Sequence, residues 1–129
     1  MFAPATPKFV AEEADKIVGW CDALPDQQKF GRAHLAVLGM GVLQDYRGRK
    51  IGSRLLEAVI AAARLRGVEK IELAVRASNA PALALYRKAG FGLEGVKKRG
   101  LLVDGVYDDR ILMGLHLSGP LSAARDPRP

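Results

Sequence analysis

Arg47, Arg49, Lys50 and Arg54 crowd four cations into the stretch RGRKIGSR, between the apolar run HLAVLGMGVL and an alanine-rich segment with helical spacing. A glycine-containing turn that leads from a strand into a helix aims unpaired backbone N–H groups, and the positive helix end, at one point. A phosphate or diphosphate is what such a point can hold. The amides that would face it belong to Arg49, Lys50, Ile51, Gly52 and Ser53, while Arg47, Gly48 and Arg54 shape and charge the rim. The turn is neither a P-loop nor a dinucleotide fingerprint, because GxxxxGK[ST] and GxGxxG are both missing. Taken alone, it fits an ordinary solvated basic loop equally well.

The surrounding pattern predicts the elements that must position this turn. Phe9 to Glu12 and Lys16 to Cys21 read as two strands of a hairpin, and residues 34–43 as a third strand. Gly39 and Gly41 interrupt that third strand and suggest a bulge or the close approach of another backbone. Ile51, Leu55, Ala58, Val59, Ala62 and Leu65 mark one face of an amphipathic helix that stops at Gly67. In KIELAV, Ile71, Leu73 and Val75 share one strand face and Glu72 and Ala74 the other. NAPALALYRKAGF, at 79–91, reads as a short helix with Asn79 as N-cap, Pro81 in its first turn and Gly90 as its stop. A long hairpin through Asp104 and Gly105 follows. This order predicts an α/β sheet of mixed direction, with a parallel crossover from about 35 to 76.

RGRKIG at 47–52 and NAPALALYRKAGF at 79–91 together resemble the GNAT superfamily of N-acetyltransferases, whose cofactor turn follows [QR]xxGx[GA] and whose later segment reads NxxAxxLYxKxGF. The resemblance runs from about Phe9 to Leu117. It implies the acyl-CoA acyltransferase fold, a twisted and mostly antiparallel sheet, and acetyl-CoA as cosubstrate. It places the CoA diphosphate on Arg47 through Arg54 and the pantetheine arm along Gly41, Val42 and Leu43, with Asn79 beside the arm as well as capping its helix. Gly39 and Gly41 would let the strand splay for that arm. It nominates Tyr86 as general acid to the departing thiolate, although Tyr86 also lies on the apolar stripe of its helix as a core residue would. Leu43 is the expected backbone oxyanion donor. Glu72, exposed or salt-bridged on its strand, is a weak candidate for the base.

Two departures qualify the resemblance. Lys50 stands where the family carries glycine, and its amide still serves provided φ stays negative there. Members also carry a strand and one or two helices ahead of the hairpin that begins this chain, and those helices help form the acceptor pocket. A second protomer would fill that gap, so a homodimer is expected. The branch that acetylates the N-terminal alanine of a ribosomal protein resembles the chain around VRASNA but carries Glu at the position of Ala74. LEGVKKRGLLVDGVYDDRILMGL looks more like branches that act on free amino acids or small amines.

Composition bounds the rest. The 129 residues, 49% hydrophobic, suit one domain spanning 1–129, with a core at about 8–117 and a flexible tail at 118–129. Twenty Lys and Arg against 14 Asp and Glu leave a net charge of +6, which favours anionic partners. A lone Cys21, no zinc-like Cys/His spacing, no secretory signal and no long apolar run lead to the expectation of a cytoplasmic protein without a metal. Only 6% of residues are aromatic, too few for a stacking surface on single strands, so nucleic acid and membrane are not expected partners. The expected partners are acetyl-CoA and a small amine, free amino acid or peptide N-terminus. The alternative is a noncatalytic CoA-binding or regulatory module of the same fold.

Overall fold

The computed structural model describes residues 6–26, 31–32 and 34–117. The expected 118–129 tail lies outside them. Strands β1 (Lys8–Glu13) and β2 (Lys16–Pro25) form a hairpin whose turn residues, Ala14 and Asp15, both have positive φ, as a two-residue turn matching strand twist requires. β2 runs four residues past the expected end at Cys21, because Ala23 and Leu24 still pair with Leu38 and Val37 of β3 (Leu35–Val42). A 3-10 turn at Gln44–Tyr46 leads to helix α1 (Ile51–Leu65). Then come β4 (Lys70–Arg76), helix α2 (Ala80–Lys88) and the hairpin of β5 (Gly92–Val103) and β6 (Val106–His116), turning at Asp104 and Gly105.

The strands form one sheet in the order β1-β2-β3-β4-β6-β5. Only β3 and β4 are parallel, since the α1 crossover returns the chain in the same direction. Both helices lie on one face. Leu55, Leu56 and Val59 of α1 and Tyr86 of α2 close over Cys21, Ala23, Ala36, Leu38, Ile71, Leu73, Val75 and Met113 from alternate strand positions. The other face keeps Val10, Trp20, Leu24 and Val37 exposed, and it carries the charged residues of β4 with Asp108 and Arg110 of β6.

One irregularity governs the site. β3 and β4 are paired only where Leu35–Val37 meets Lys70–Glu72. Beyond that point β3 continues to Val42 on β2, and β4 continues to Arg76 on β6, so each leaves one backbone edge without a strand partner. The gap opens toward the C-terminal ends of the parallel strands, where crevices of α/β sheets take ligands.

Candidate active site

The edges of that gap can be read from the alternation of the ladder. The Leu43 N–H donates to the Val18 carbonyl at 2.9 Å, so it points toward β2. N–H and C=O groups alternate in direction along a strand, so Val42 and Met40, one and three residues back, point theirs into the gap. This corrects the expectation for Leu43. Its amide is already spent within the sheet, whereas the Val42 amide is open to the gap. The free Val42 carbonyl accepts from Arg47 Nε at 3.1 Å, which ties the basic turn to the end of the open edge.

Gly39 and Gly41 serve a purpose that their spacing did not reveal. A Cβ at Gly39 would lie 3.2 Å from the Trp20 ring, and one at Gly41 only 2.9 Å from Trp20 Nε1. The indole of the adjacent strand lies flat across both positions, on the face away from the helices. The glycines make room for Trp20, and the gap itself comes from the divergence of β3 and β4.

The turn after β3 leads directly into the N-terminus of α1. The first hydrogen bond of α1 runs from Arg54 N–H to the Lys50 carbonyl at 3.1 Å, so the N–H groups of Ile51, Gly52 and Ser53 have no intrahelical acceptor. Lys50, the residue before the helix, has φ 66° and ψ 15°, in the left-handed region. The condition of a negative φ at this position is therefore not met. Cβ crowding at such a lysine costs about 1 kcal/mol, and glycine escapes it. Lys50→Gly should stabilise the fold by roughly that amount and raise Tm by several degrees, read by thermal unfolding. An unchanged or lowered Tm would count against strain at this position.

The cationic side chains divide. Arg47 and Lys50 line a groove of about 420 Å³ with Gly41, Val42, Gly48, Ile51, Gly52, Ser53, Asn79 and Tyr86. Arg49 turns away, bonded to Glu13 at 3.2 Å and stacked 4.8 Å from the centre of the Tyr46 ring. Arg54 faces the hollows on either side of α1, and Leu43 is absent from the groove wall. So the expected cofactor set is brought together apart from Leu43, Arg49 and Arg54. Asn79 caps α2 through its Oδ1, which accepts from Ala82 N–H at 3.2 Å, and its side-chain NH₂ remains for a ligand. Met40, Tyr46, Pro81, Ala82 and Leu85 also line the groove and are not among the site residues expected from the sequence. The two-residue alternation of β3 would have found Met40; Pro81, Ala82 and Leu85 follow only from how α2 docks.

Tyr86 closes the floor of the groove. It is 9% exposed, its ring packs edge-on to Phe91 at 5.8 Å, and among the described residues its hydroxyl has no hydrogen-bond partner. Tyr86 lines the groove, and a hydroxyl without a protein partner there can donate to a ligand that supplies an acceptor. Burial first, and then the neighbouring Cys21, raise the phenol above its ordinary value of 10.0, so it is protonated at neutral pH. Cys21 is fully buried, and burial together with Asp22 pushes its thiol up to about 12, so it offers no thiolate nucleophile.

Glu72 lies on the opposite face of the sheet. Arg32 reaches it at 2.8 Å and Lys70 at 3.1 Å. Burial pulls its carboxyl upward, but the hydrogen bonds from Arg32 and Lys70 outweigh this and hold it below the ordinary carboxylate value. An ion-paired carboxylate of lowered pKa is a weak proton acceptor, and the geometry gives Glu72 a role in the ion-pair network.

Known proteins resemble this chain in sequence and fold. The L-amino acid N-acetyltransferase AaaT of Escherichia coli K12 is 38% identical over 89 residues, covering 67% of this chain and 54% of that protein. The ribosomal protein bS18-alanine N-acetyltransferase of Salmonella typhimurium is 35% identical over 82 residues, covering 64% and 55%. The chain thus spans about half the length of these curated relatives. Among solved structures, the ribosomal-protein-alanine N-acetyltransferase from Brucella melitensis superimposes with a TM-score of 0.81 at 32% identity, over 87% of this chain and 69% of that one. The GNAT superfamily phosphinothricin acetyltransferase from Sinorhizobium meliloti, solved with AcCoA, has a TM-score of 0.84 at 22% identity, over 95% and 66%, and shares the fold. The family model described as Acetyltransferase (GNAT) family matches residues 2–91, which take in β1 through α2 and so the whole groove wall. With the strand gap, the amide cradle and that match together, the chain belongs to the GNAT family of acetyltransferases.

Proposed function

We propose that the chain is an N-acetyltransferase that uses acetyl-CoA and a primary amine. The observation that carries this reading is the meeting, on one groove, of three unmade sets of hydrogen bonds: the amides of Ile51, Gly52 and Ser53, the open edge of β3 and the Tyr86 hydroxyl. A diphosphate fits the first, an amide-bearing arm can pair with the second as an added strand would, and a thioester sulfur fits the third. When bound, acetyl-CoA supplies the activated acetyl group.

In direct transfer the amine nitrogen bonds to the acetyl carbon as the C–S bond breaks; the nitrogen sheds one proton and the sulfur takes one. Val42 N–H, open to the gap, would stabilise negative charge developing on the acetyl oxygen. Tyr86 gives its proton to the sulfur, and the burial that raises the phenol would raise a thiolate lodged beside it as well, which keeps the transfer feasible. No covalent enzyme intermediate is required, in keeping with the inert Cys21.

Release of free thiol from acetyl-CoA, measured against a panel of amines, tests this reading. Amine-dependent release with stoichiometric acetylated product is expected. Saturable acetyl-CoA binding without turnover of any amine would instead leave a CoA-binding module.

A further inference from the structure

The face of the sheet opposite the helices carries a second hollow, of about 390 Å³, at the root of the gap between β3 and β4. Its floor is apolar, formed by Val37, Ala74 and Leu112, and its walls are charged. Apart from Arg110, the charged side chains that line it are all ion-paired. Arg32 holds Asp26 at 2.6 Å and Glu72 at 2.8 Å, while Lys70 holds Glu72 at 3.1 Å and Glu94 at 2.9 Å. On the strand beside it, Arg76 is matched by Asp108 at 3.1 Å. Arg110 is the exception: among the described residues it has neither an ion-pair nor a side-chain hydrogen-bond partner, and it lines the hollow.

The fold places this arginine deliberately. Ile111, Met113 and Leu115 point into the core, so Arg110 and Leu112 alternate onto the hollow's side. The pairing of β5 with β6 slips between Lys97 and Leu101, and there a Cβ on Gly100 would meet Arg110 Cβ at 3.0 Å. Glycine at 100 lets the arginine stem pass. Ala74 sits opposite Leu112, which makes Arg110 its diagonal cross-strand neighbour, about 7–8 Å away and within reach of a guanidinium.

We infer that this hollow is the acceptor pocket and that Arg110 binds the α-carboxylate of a free amino acid, setting the acceptor class to amino acids over peptide N-termini and carboxylate-free amines. The inference rests on the acetyl-donor reading of the groove. A guanidinium pairs with a carboxylate through two parallel hydrogen bonds, a match that neither a peptide amide nor a bare alkylamine can reproduce. With the carboxylate on Arg110, the adjacent amine lies over Ala74, beside the gap between β3 and β4. The small Ala74 leaves that space open, and the apolar floor takes the side chain.

The test compares each common L-amino acid with its carboxamide and its decarboxylated amine, at saturating acetyl-CoA, with rates expressed per unprotonated amine. The free acids should be favoured in kcat/KM by about 10- to 100-fold. Arg110→Gln should raise KM for the acids and bring the acid-to-carboxamide ratio close to one, and Arg110→Lys should recover part of it. KM for acetyl-CoA, measured in each variant, reports that the donor side is intact. Equal use of acids and carboxamides by the wild type, or an acid preference that survives Arg110→Gln, overturns the inference while leaving the acetyltransferase reading in place. Failure to acetylate any amine overturns both.

Discussion

Tyr86→Phe should lower kcat for amine acetylation by about 10²- to 10³-fold while changing KM for acetyl-CoA little, because the lost group acts on the departing sulfur. The substitution keeps the ring, and with it the edge-on contact to Phe91. It removes a buried hydroxyl that has no protein partner among the described residues, so stability should hold or rise slightly. The pH profile adds a second check. The wild type needs the protonated phenol, and burial with the nearby Cys21 raises its pKa, so the alkaline fall in kcat should come above pH 10.0. That limb should vanish in Tyr86→Phe. Steady-state thiol release across the alkaline range measures both effects. A variant with wild-type kcat would make Tyr86 a core residue only.

Gly52→Asp should raise KM for acetyl-CoA by about 10²- to 10³-fold without unfolding the protein. A Cβ at Gly52 has ordinary room, 3.5 Å from Leu85 and Met40, and Gly52 lines the groove. The added carboxylate would then stand beside the diphosphate, where two like charges 4 Å apart repel by about 4 kcal/mol at an effective dielectric of 20. At the first turn of a helix the same carboxylate is favourable, so Tm should be unchanged or higher. Gly52→Ala, which adds the Cβ alone, should leave KM within a few-fold. Equal KM values for Gly52→Asp and wild type would move the diphosphate away from α1.

The two effects separate what sequence could and could not show. Helix α1 is legible because its apolar residues recur at one period from Ile51 to Leu65, and α2 because Asn79, Pro81 and Gly90 punctuate it. The amide cradle follows from those boundaries alone. The left-handed Lys50 does not, since a lysine code carries no trace of its φ. Nor does the use of Gly39 and Gly41, which depends on where the Trp20 ring of the neighbouring strand comes to rest. The shift from Leu43 to Val42 turns on the β2–β3 register, a pairing between distant residues, and one residue reverses the direction of the amide. Arg110 escaped notice for the same reason. It becomes distinctive only after the ion pairs around it have been assigned to other partners.

The central claim is that acetyl-CoA is held by backbone amides at the α1 N-terminus and along the open edge of β3. Titration of the isotope-labelled protein with acetyl-CoA, followed by backbone amide resonances, tests it most directly. The account predicts that the largest proton shifts, toward the stronger hydrogen bonds of a bound anion and arm, fall on Ile51, Gly52, Ser53, Met40 and Val42, with Leu43 and Arg54 shifting less. Shifts centred on the hollow between β1 and α1, around Phe9, Arg49 and Ala58, or no saturable shift at all, would contradict it.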